Sequence, residues 1–299
     1  MRNALVIVGP TAVGKTALAI NLAKKLPSHI LSADSVQVYK GLDIISGKDR
    51  ESYEAIPISL LDIVSPTTPF SVSDYISSFK YFLSQISDDT LPIVVGGTGF
   101  YVLAIRNGID TLDIKPNMSL RHELEKLSAP ELQERLRMSD LVKLTNMNNS
   151  DRNNPRRLIR AIEISENSEP TSEKNQNVLK DFDVKIIGLT CDKDALNKRI
   201  DLRVEERIKL GALNEAQELY KNYENLCPQV KSASGYEQLF GYLKGEYDLD
   251  SAILLWKTTE HQNAKKQMTW FKKMKNIEWI DILDSNFETK LRNILSEVL

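Results

Sequence analysis

Eight residues near the start constrain this chain more than any other feature. Gly9-Pro10-Thr11-Ala12-Val13-Gly14-Lys15-Thr16 satisfies G-x-x-x-x-G-K-[ST]. It lies between a short apolar run, Leu5 to Val8, and a helical stretch from Lys15 to about Lys25. In that setting the loop amides converge on an anion, and the helix start adds its partial positive charge. Lys15 supplies a point charge to phosphate oxygens and Thr16 offers a hydroxyl to Mg2+. The pattern says that a di- or triphosphate is held, not what is done with it. An ordinary nucleotide hydrolase also needs an acid at the end of a neighbouring apolar strand. Here the best such strand, Ile93-Val94-Val95, runs into Gly96-Gly97-Thr98, and Asp62 closes only a weaker candidate, Ser59 to Val64.

The first hundred residues alternate strand and helix. Ile30 to Ala33 reads as a second strand, Ser73 to about Ile86 as a helix with Tyr75, Phe79, Phe82 and Ile86 on one face, and Pro92 to Val95 as a further strand. Continuous apolar strands between helices imply a parallel sheet covered on both faces. From about Leu112 the pattern changes. Leu120, Leu124 and Leu127, then Leu132 and Leu136, then Leu158 and Ile162 keep helical spacing with no strand between them, around a polar break at Asn146 to Asn154. Val184 to Leu189 returns to strand, and helices dominate the rest. The expected fold is therefore α/β, a P-loop parallel-sheet core of 1–115 plus 181–299, with a helical insertion over 116–180.

Asp34 follows the second strand. Ligands sit at that edge of parallel α/β sheets, so Asp34 and Lys15 are expected to face one crevice. Position alone would equally suit a turn or capping aspartate. The net charge is −2, from 39 basic and 41 acidic residues, so nucleic acid could be held only through local basic patches. Two candidates stand out. One is Arg152, Arg156, Arg157 and Arg160. The other is Lys265, Lys266, Lys272, Lys273 and Lys275, around Trp270 and Phe271. Read alone, a lysine run is a solvated face and those aromatics are core. Arg199, Arg203 and Arg207 recur every four residues on one helix face, where pairing with Asp201, Glu205 and Glu206 is the simpler reading.

Two cysteines and three histidines are scattered without metal-ligand spacing, which argues against zinc. Nothing near Met1 resembles a signal peptide, and the apolar run there is far shorter than the ~20 residues of a membrane span. A reducing cytoplasm and no membrane partner are expected.

Four segments in register carry a resemblance. Gly9 to Thr16, the run Asp34-Ser35-x-Gln37-Val38-Tyr39, Gly96-Gly97-Thr98-Gly99-x-Tyr101, and Gln267-Met268-Thr269-Trp270-Phe271 together resemble the tRNA dimethylallyltransferase (isopentenyltransferase) family. The likeness extends from Gly9 to about Trp270. It implies a P-loop kinase-like core with a helical insertion; a monomer is expected. It also implies transfer of a dimethylallyl group from dimethylallyl diphosphate to the exocyclic amine of the adenosine 3′-adjacent to the anticodon in tRNA, with Mg2+ at Thr16. In that reading Asp34 takes the proton of the attacking amine. Lys15, Thr11, Arg203 and the amides of Gly9, Pro10, Thr11, Ala12, Val13, Gly14, Lys15 and Thr16 hold the diphosphate. Asp34, Ser35, Val36, Gln37 and Thr98 meet the target adenosine once it leaves its stack. Arg156, Arg157, Arg160, Lys265 and Lys266 hold the tRNA backbone near the anticodon loop.

The chain departs from the family pattern at several places. Ile45 stands for a common glycine, Ser59 for a histidine, Asn154 for an aspartate, Glu260 and His261 for Thr-Arg, and Lys266 for an arginine. Three other readings remain open at this point: prenyl transfer to free AMP, ADP or ATP, an ATP-dependent small-molecule kinase using Asp62, and a non-catalytic RNA-binding protein.

Overall fold

A computed structural model describes residues 1–49, 53, 56–109, 111, 114–167 and 177–297. The chain divides into two compact units, Met1–Asn107 with Asn177–Leu299, and Gly108–Gln176; the sequence suggested edges at 116 and 180. Most of the polar stretch 166–177, expected to be a connection, lies outside the described residues.

In the first unit the chain runs β1 (Arg2–Val8), α1 (Lys15–Ala23), β2 (Ser28–Ser32), β3 (Ile58–Ser59), α2 (Val72–Ser84), β4 (Leu91–Val95) and α3 (Gly99–Asn107). The second unit holds α4 (Met118–Leu124), α5 (Ala129–Ser139), α6 (Leu141–Asn146), α7 (Asn149–Arg152) and α8 (Pro155–Ser165). The first unit resumes with β5 (Phe182–Thr190), α9 (Lys193–Lys209), α10 (Ala212–Tyr220), α11 (Pro228–Lys231), α12 (Tyr236–Leu243), α13 (Leu249–Phe271), β6 (Glu278–Asp281) and α14 (Phe287–Leu295).

The six strands form one parallel sheet in the order β3-β2-β4-β1-β5-β6. Leu5, Ile7, Ile30, Ile93 and Ile187 are buried with Leu18, Ala19 and Leu22 of α1 on one face, and the alternating residues Val6, Leu31, Val94 and Ile186 are buried on the other, so both faces of the sheet are covered, as the apolar strands required. Parallel strands all finish on one edge. The segments after β2, β4 and β1 therefore leave the sheet side by side, and ~5 Å between strands puts the outer two about 10 Å apart. That arithmetic puts the Asp34 segment, Gly96-Gly97-Thr98 and the P-loop within reach of one another.

Two strands differ from the sequence reading. The candidate at 59–64 shrinks to Ile58–Ser59, because Leu60 and Asp62 adopt positive φ (70° and 57°), which no strand continues. Asp62 ends no strand and instead lies 2.6 Å from the fully buried ammonium of Lys48. The edge strand β6 was not anticipated, being four residues, Glu-Trp-Ile-Asp, between helices.

The helical unit has its own core of Leu124, Leu132, Leu136, Leu158, Ile159 and Ile162. Its asparagine-rich break is a run of helix starts: Asn148 accepts from the Asp151 amide at 3.0 Å and Asn154 from the Arg157 amide at 3.3 Å. Asn154 thus keeps the capping role an aspartate would have there. A fully buried carboxylate, Glu163, accepts from Arg121 at 2.7 and 2.8 Å, from the Asn117 amide at 2.9 Å and from Arg160 at 3.3 Å.

Candidate active site

The P-loop links β1 to α1. Gly14 takes the N-cap position of α1 in the left-handed region (φ 101°), and no side chain caps the helix. The first-turn N–H groups are therefore left for a ligand, which is the arrangement an anion needs. Lys15 Nζ curls back to the Pro10 carbonyl at 2.7 Å.

Beyond β2, Asp34 Oδ1 accepts from the amides of Val36 (2.9 Å) and Gln37 (3.3 Å), leaving Oδ2 outside these bonds. The Ser35 amide donates to Thr98 Oγ1 at 3.0 Å, tying the Asp34 segment to the end of β4. The Gln37 amide group donates to the carbonyls of Ser46 (3.3 Å) and Gly47 (3.1 Å) and accepts from Ser32 Oγ at 3.1 Å. Gln37 is thus a strut for the loop after residue 41.

Two helices close the site. Two of the α9 arginines bond the P-loop, and the third, Arg207, lies against the loop after residue 41. Arg199 donates to the Ala12 carbonyl (2.9 Å), Arg203 donates to Thr11 Oγ1 (3.2 Å), and Arg207 is almost fully buried. Two of their three anticipated acidic partners are occupied elsewhere, Glu205 with Lys257 (2.6 Å) and Asp201 with His261 (2.9 Å), while Glu206 lines a hollow with Arg199 and Arg203. From α13, Gln267 accepts from the Thr11 amide (2.8 Å) and donates to the Gly97 carbonyl (3.1 Å). This one side chain joins the P-loop to the glycine-rich turn. The approach is close: a Cβ on Gly97 would lie 2.4 Å from Gln267 Nε2, and one on Gly99 2.1 Å from the Trp270 ring. Two motifs 170 residues apart in sequence are therefore the two sides of one contact. Phe271 is core, as its composition suggested, whereas Trp270 covers Gly99 and stays 37% exposed.

The result is a cleft of about 320 Å³ lined by Thr11, Lys15, Thr16, Asp34, Ser35, Val36, Gln37, Thr98, Arg203 and Lys266 among others. Lys15 and Asp34 open into the same space. A second hollow lined by Ala12, Gly14, Lys15, Thr16, Asp49, Arg199 and Arg203 adjoins it, sharing Lys15, Thr16 and Arg203. Burial pushes the Lys15 ammonium down to about 7, Arg203 pushes the same way, and Asp34 and Glu260 oppose them. Burial and then Arg203 lower Arg207 to about 10, again opposed by Glu260. Excess positive charge in a confined space is what an anionic ligand would relieve. Burial raises the Tyr53 hydroxyl to about 12 against a hydrogen bond with Thr16.

Gly9, Pro10, Val13 and the rest of the loop form the turn itself. Lys265 points away from the cleft into a separate groove with Pro10, Lys193 and Met268. In the helical unit Arg156 is exposed, Arg157 pairs with Asp151, and Arg160 is tied to Glu163 and to the carbonyls of Thr111 (2.9 Å) and Ile114 (2.8 Å). Sequence reasoning missed Arg207, Glu260, Asn263 and Ser46 as cleft residues. The i+4 arginine series was the available signal for Arg207. Among the described residues no group of three His, Cys, Asp or Glu is arranged to hold a metal, and no helix is long and apolar enough to cross a membrane.

The family model for IPP transferase matches residues 37–274, and that for isopentenyl transferase matches residues 2–54. This chain belongs to the IPP transferase family. It is 37% identical over 297 residues to the tRNA dimethylallyltransferase of Anoxybacillus flavithermus, covering 97% of this chain and 94% of that one. The tRNA dimethylallyltransferase of Geobacillus kaustophilus is 38% identical over 299 residues, with the same coverage. Among solved structures, the full-length tRNA isopentenylpyrophosphate transferase of Bacillus halodurans matches with TM-score 0.73 and 34% identity, covering 100% of this chain and 96% of that one. A eukaryotic dimethylallyltransferase acting on tRNA matches with TM-score 0.84 and 25% identity, covering 99% and 80%.

Against this IPP transferase background the departures acquire places. Ser59 Oγ bonds His29 Nε2 at 2.8 Å, Asn154 caps α8, Ile45 is core, and His261 meets Asp201. Of these positions Ile45, Glu260 and Lys266 line the cleft.

Proposed function

We propose that this chain is a tRNA dimethylallyltransferase, moving the dimethylallyl group of dimethylallyl diphosphate onto the exocyclic amine of the adenosine 3′-adjacent to the anticodon and releasing diphosphate. The observation that carries the reading is the single cleft into which Lys15 and Asp34 both open. The adenine amine is a poor nucleophile because the ring shares its lone pair. As its nitrogen bonds the allylic carbon and the carbon–oxygen bond to diphosphate breaks, an N–H becomes acidic, and Asp34 accepts that proton. Two backbone amides hold Asp34 Oδ1, which fixes the carboxylate while its other oxygen serves as base. The departing diphosphate gathers negative charge, which Lys15, Arg203 and the uncapped amides of α1 stabilise, with Arg207 beside Arg203 in the same cleft.

Mg2+ would rest on the Thr16 hydroxyl, with substrate oxygens completing its shell, the usual low number of protein ligands for this ion. Bound there, it would neutralise part of the leaving group's charge. Asp34 to Gln37 and Thr98 would surround the extruded adenine, and Arg156 and Lys266 would contact the tRNA backbone. The enzyme would act as a monomer in the cytoplasm.

Asp62, the acid a kinase would need, is ion-paired with buried Lys48. The test is mass analysis of nucleosides from unmodified tRNA incubated with the protein, dimethylallyl diphosphate and Mg2+, beside a parallel reaction with AMP. One dimethylallyl increment on adenosine of tRNA is expected. Faster transfer to AMP would overturn the acceptor assignment.

A further inference from the structure

The segment after residue 41 has no strand or helix, yet three independent anchors immobilise it. The Glu215 carboxylate on α10 accepts three consecutive backbone amides, those of Asp43 (2.8 Å), Ile44 (2.6 Å) and Ile45 (3.0 Å), and also the Tyr236 hydroxyl (2.6 Å). Lys48, with no exposure, donates to Asp43 (2.9 Å), Asp62 (2.6 Å) and the Tyr39 carbonyl (2.6 Å). Gln37 holds the carbonyls of Ser46 and Gly47. A carboxylate accepting three main-chain amides is a strong, charge-assisted clamp.

The clamped loop presents Gly47 to the arginines. A Cβ at Gly47 would fall 2.1 Å from an Arg207 terminal nitrogen and 2.4 Å from one of Arg203. Both guanidiniums therefore lie against backbone at a position where any side chain would displace them. Gly47 also has φ 68°, where an L side chain is strained.

We infer that Glu215 is a positioning residue for the donor's diphosphate: it fixes the 43–47 loop as a backing surface that sets Arg203 and Arg207 in the cleft. The inference rests on the proposed assignment of those arginines to the diphosphate. Glu215 touches no substrate. Its clamp holds the backbone against which two like-charged guanidiniums lie, opposing the repulsion between them.

The test uses the full chain and inorganic pyrophosphate with Mg2+, titrated calorimetrically. Glu215→Ala and, by a route that leaves the clamp intact, Gly47→Ala should each weaken pyrophosphate binding about tenfold, and Glu215→Gln about threefold. The KM for dimethylallyl diphosphate should rise in parallel while kcat at saturating donor changes little. Glu218→Gln on the same helix, whose carboxylate pairs with Lys221 at the surface, should bind as the parent does. The decisive arm is a double-mutant cycle. In an Arg203→Ala, Arg207→Ala background the Glu215→Ala effect should fall below about twofold, because contacts in one network do not add. An equal loss in both backgrounds, or parental affinity in Gly47→Ala, would overturn the inference. Parental pyrophosphate affinity in the arginine double variant would instead overturn the diphosphate assignment, a separate result. If Glu215→Ala does not fold, Glu215→Gln and Gly47→Ala carry the same comparison.

Discussion

The cleft of the α/β unit and the arginine cluster of the helical unit use the same charged groups to opposite ends. In the helical unit Glu163 takes four hydrogen bonds and Arg160 divides its guanidinium between that carboxylate and two carbonyls. Charge there is neutralised within the unit. In the cleft, among the described residues, the backbone bonds to Asp34 fall on one of its oxygens, Arg203 bonds a hydroxyl at 3.2 Å, and burial lowers the Lys15 ammonium to about 7. Saturated charge builds structure, whereas charge left short of partners is available for a ligand. Sequence spacing does not separate the two, because both arginine sets recur at helical intervals.

Substitutions sharpen this contrast. The largest effect is expected for Asp34→Ala, which should lower single-turnover prenyl transfer by ~10²–10⁴-fold while leaving pyrophosphate affinity and melting temperature near parental. A rate within about threefold of the parent would remove Asp34 as the base. Glu163→Gln should do the reverse. It leaves Arg121 and Arg160 without their carboxylate and should cost roughly 2–3 kcal/mol in chemical denaturation, less than the ~3–5 of a dry pair because Arg121 is 32% exposed. Its turnover per folded molecule should be unchanged.

A third test concerns pH. Burial pushes the Lys15 ammonium down to about 7, and a bound diphosphate would favour the ammonium and so raise that value. The complex therefore holds one more proton than the free protein at pH values between the two. Affinity for pyrophosphate should accordingly fall as pH rises above 7, by up to about tenfold per unit, and level off below 7. Lys15→Arg keeps its charge and should lack this component, which separates it from titration of pyrophosphate itself. The same slope in both proteins would contradict the assignment.

The smallest expected effects distinguish two neighbouring arginines. Arg156→Ala should raise the KM for tRNA a few-fold and reduce the salt dependence of RNA binding by about one phosphate contact. Arg160→Ala should lower stability instead.

How much of this was legible beforehand follows the range of the interactions. The P-loop, β2 with Asp34 behind it, and β4 with its glycine turn are local patterns, and parallel pairing then places them together. The helical unit was likewise readable from leucine spacing. What could not be read depends on partners far away in the chain. Gln267 was visible as part of a motif, but its bridge from the Thr11 amide to the Gly97 carbonyl exists only once α13 crosses the sheet edge. Glu215 looks like any surface glutamate on α10 until the loop at 43–45 folds onto it. The strand at 59–64 failed because its apolar residues carry no warning of positive φ at Leu60 and Asp62. β6 was too short to show a period.

The central claim is that one cavity holds the donor's phosphates at Lys15 and its reacting carbon before Asp34. A crystal structure with a non-hydrolysable thiolodiphosphate analogue of the donor tests it directly. The diphosphate should sit on the amides of the 9–16 loop against Lys15 and Arg203, with the allylic carbon directed toward the Asp34 carboxylate and room for a purine between them. A diphosphate bound outside that loop, or an allylic chain running away from Asp34, would contradict the account.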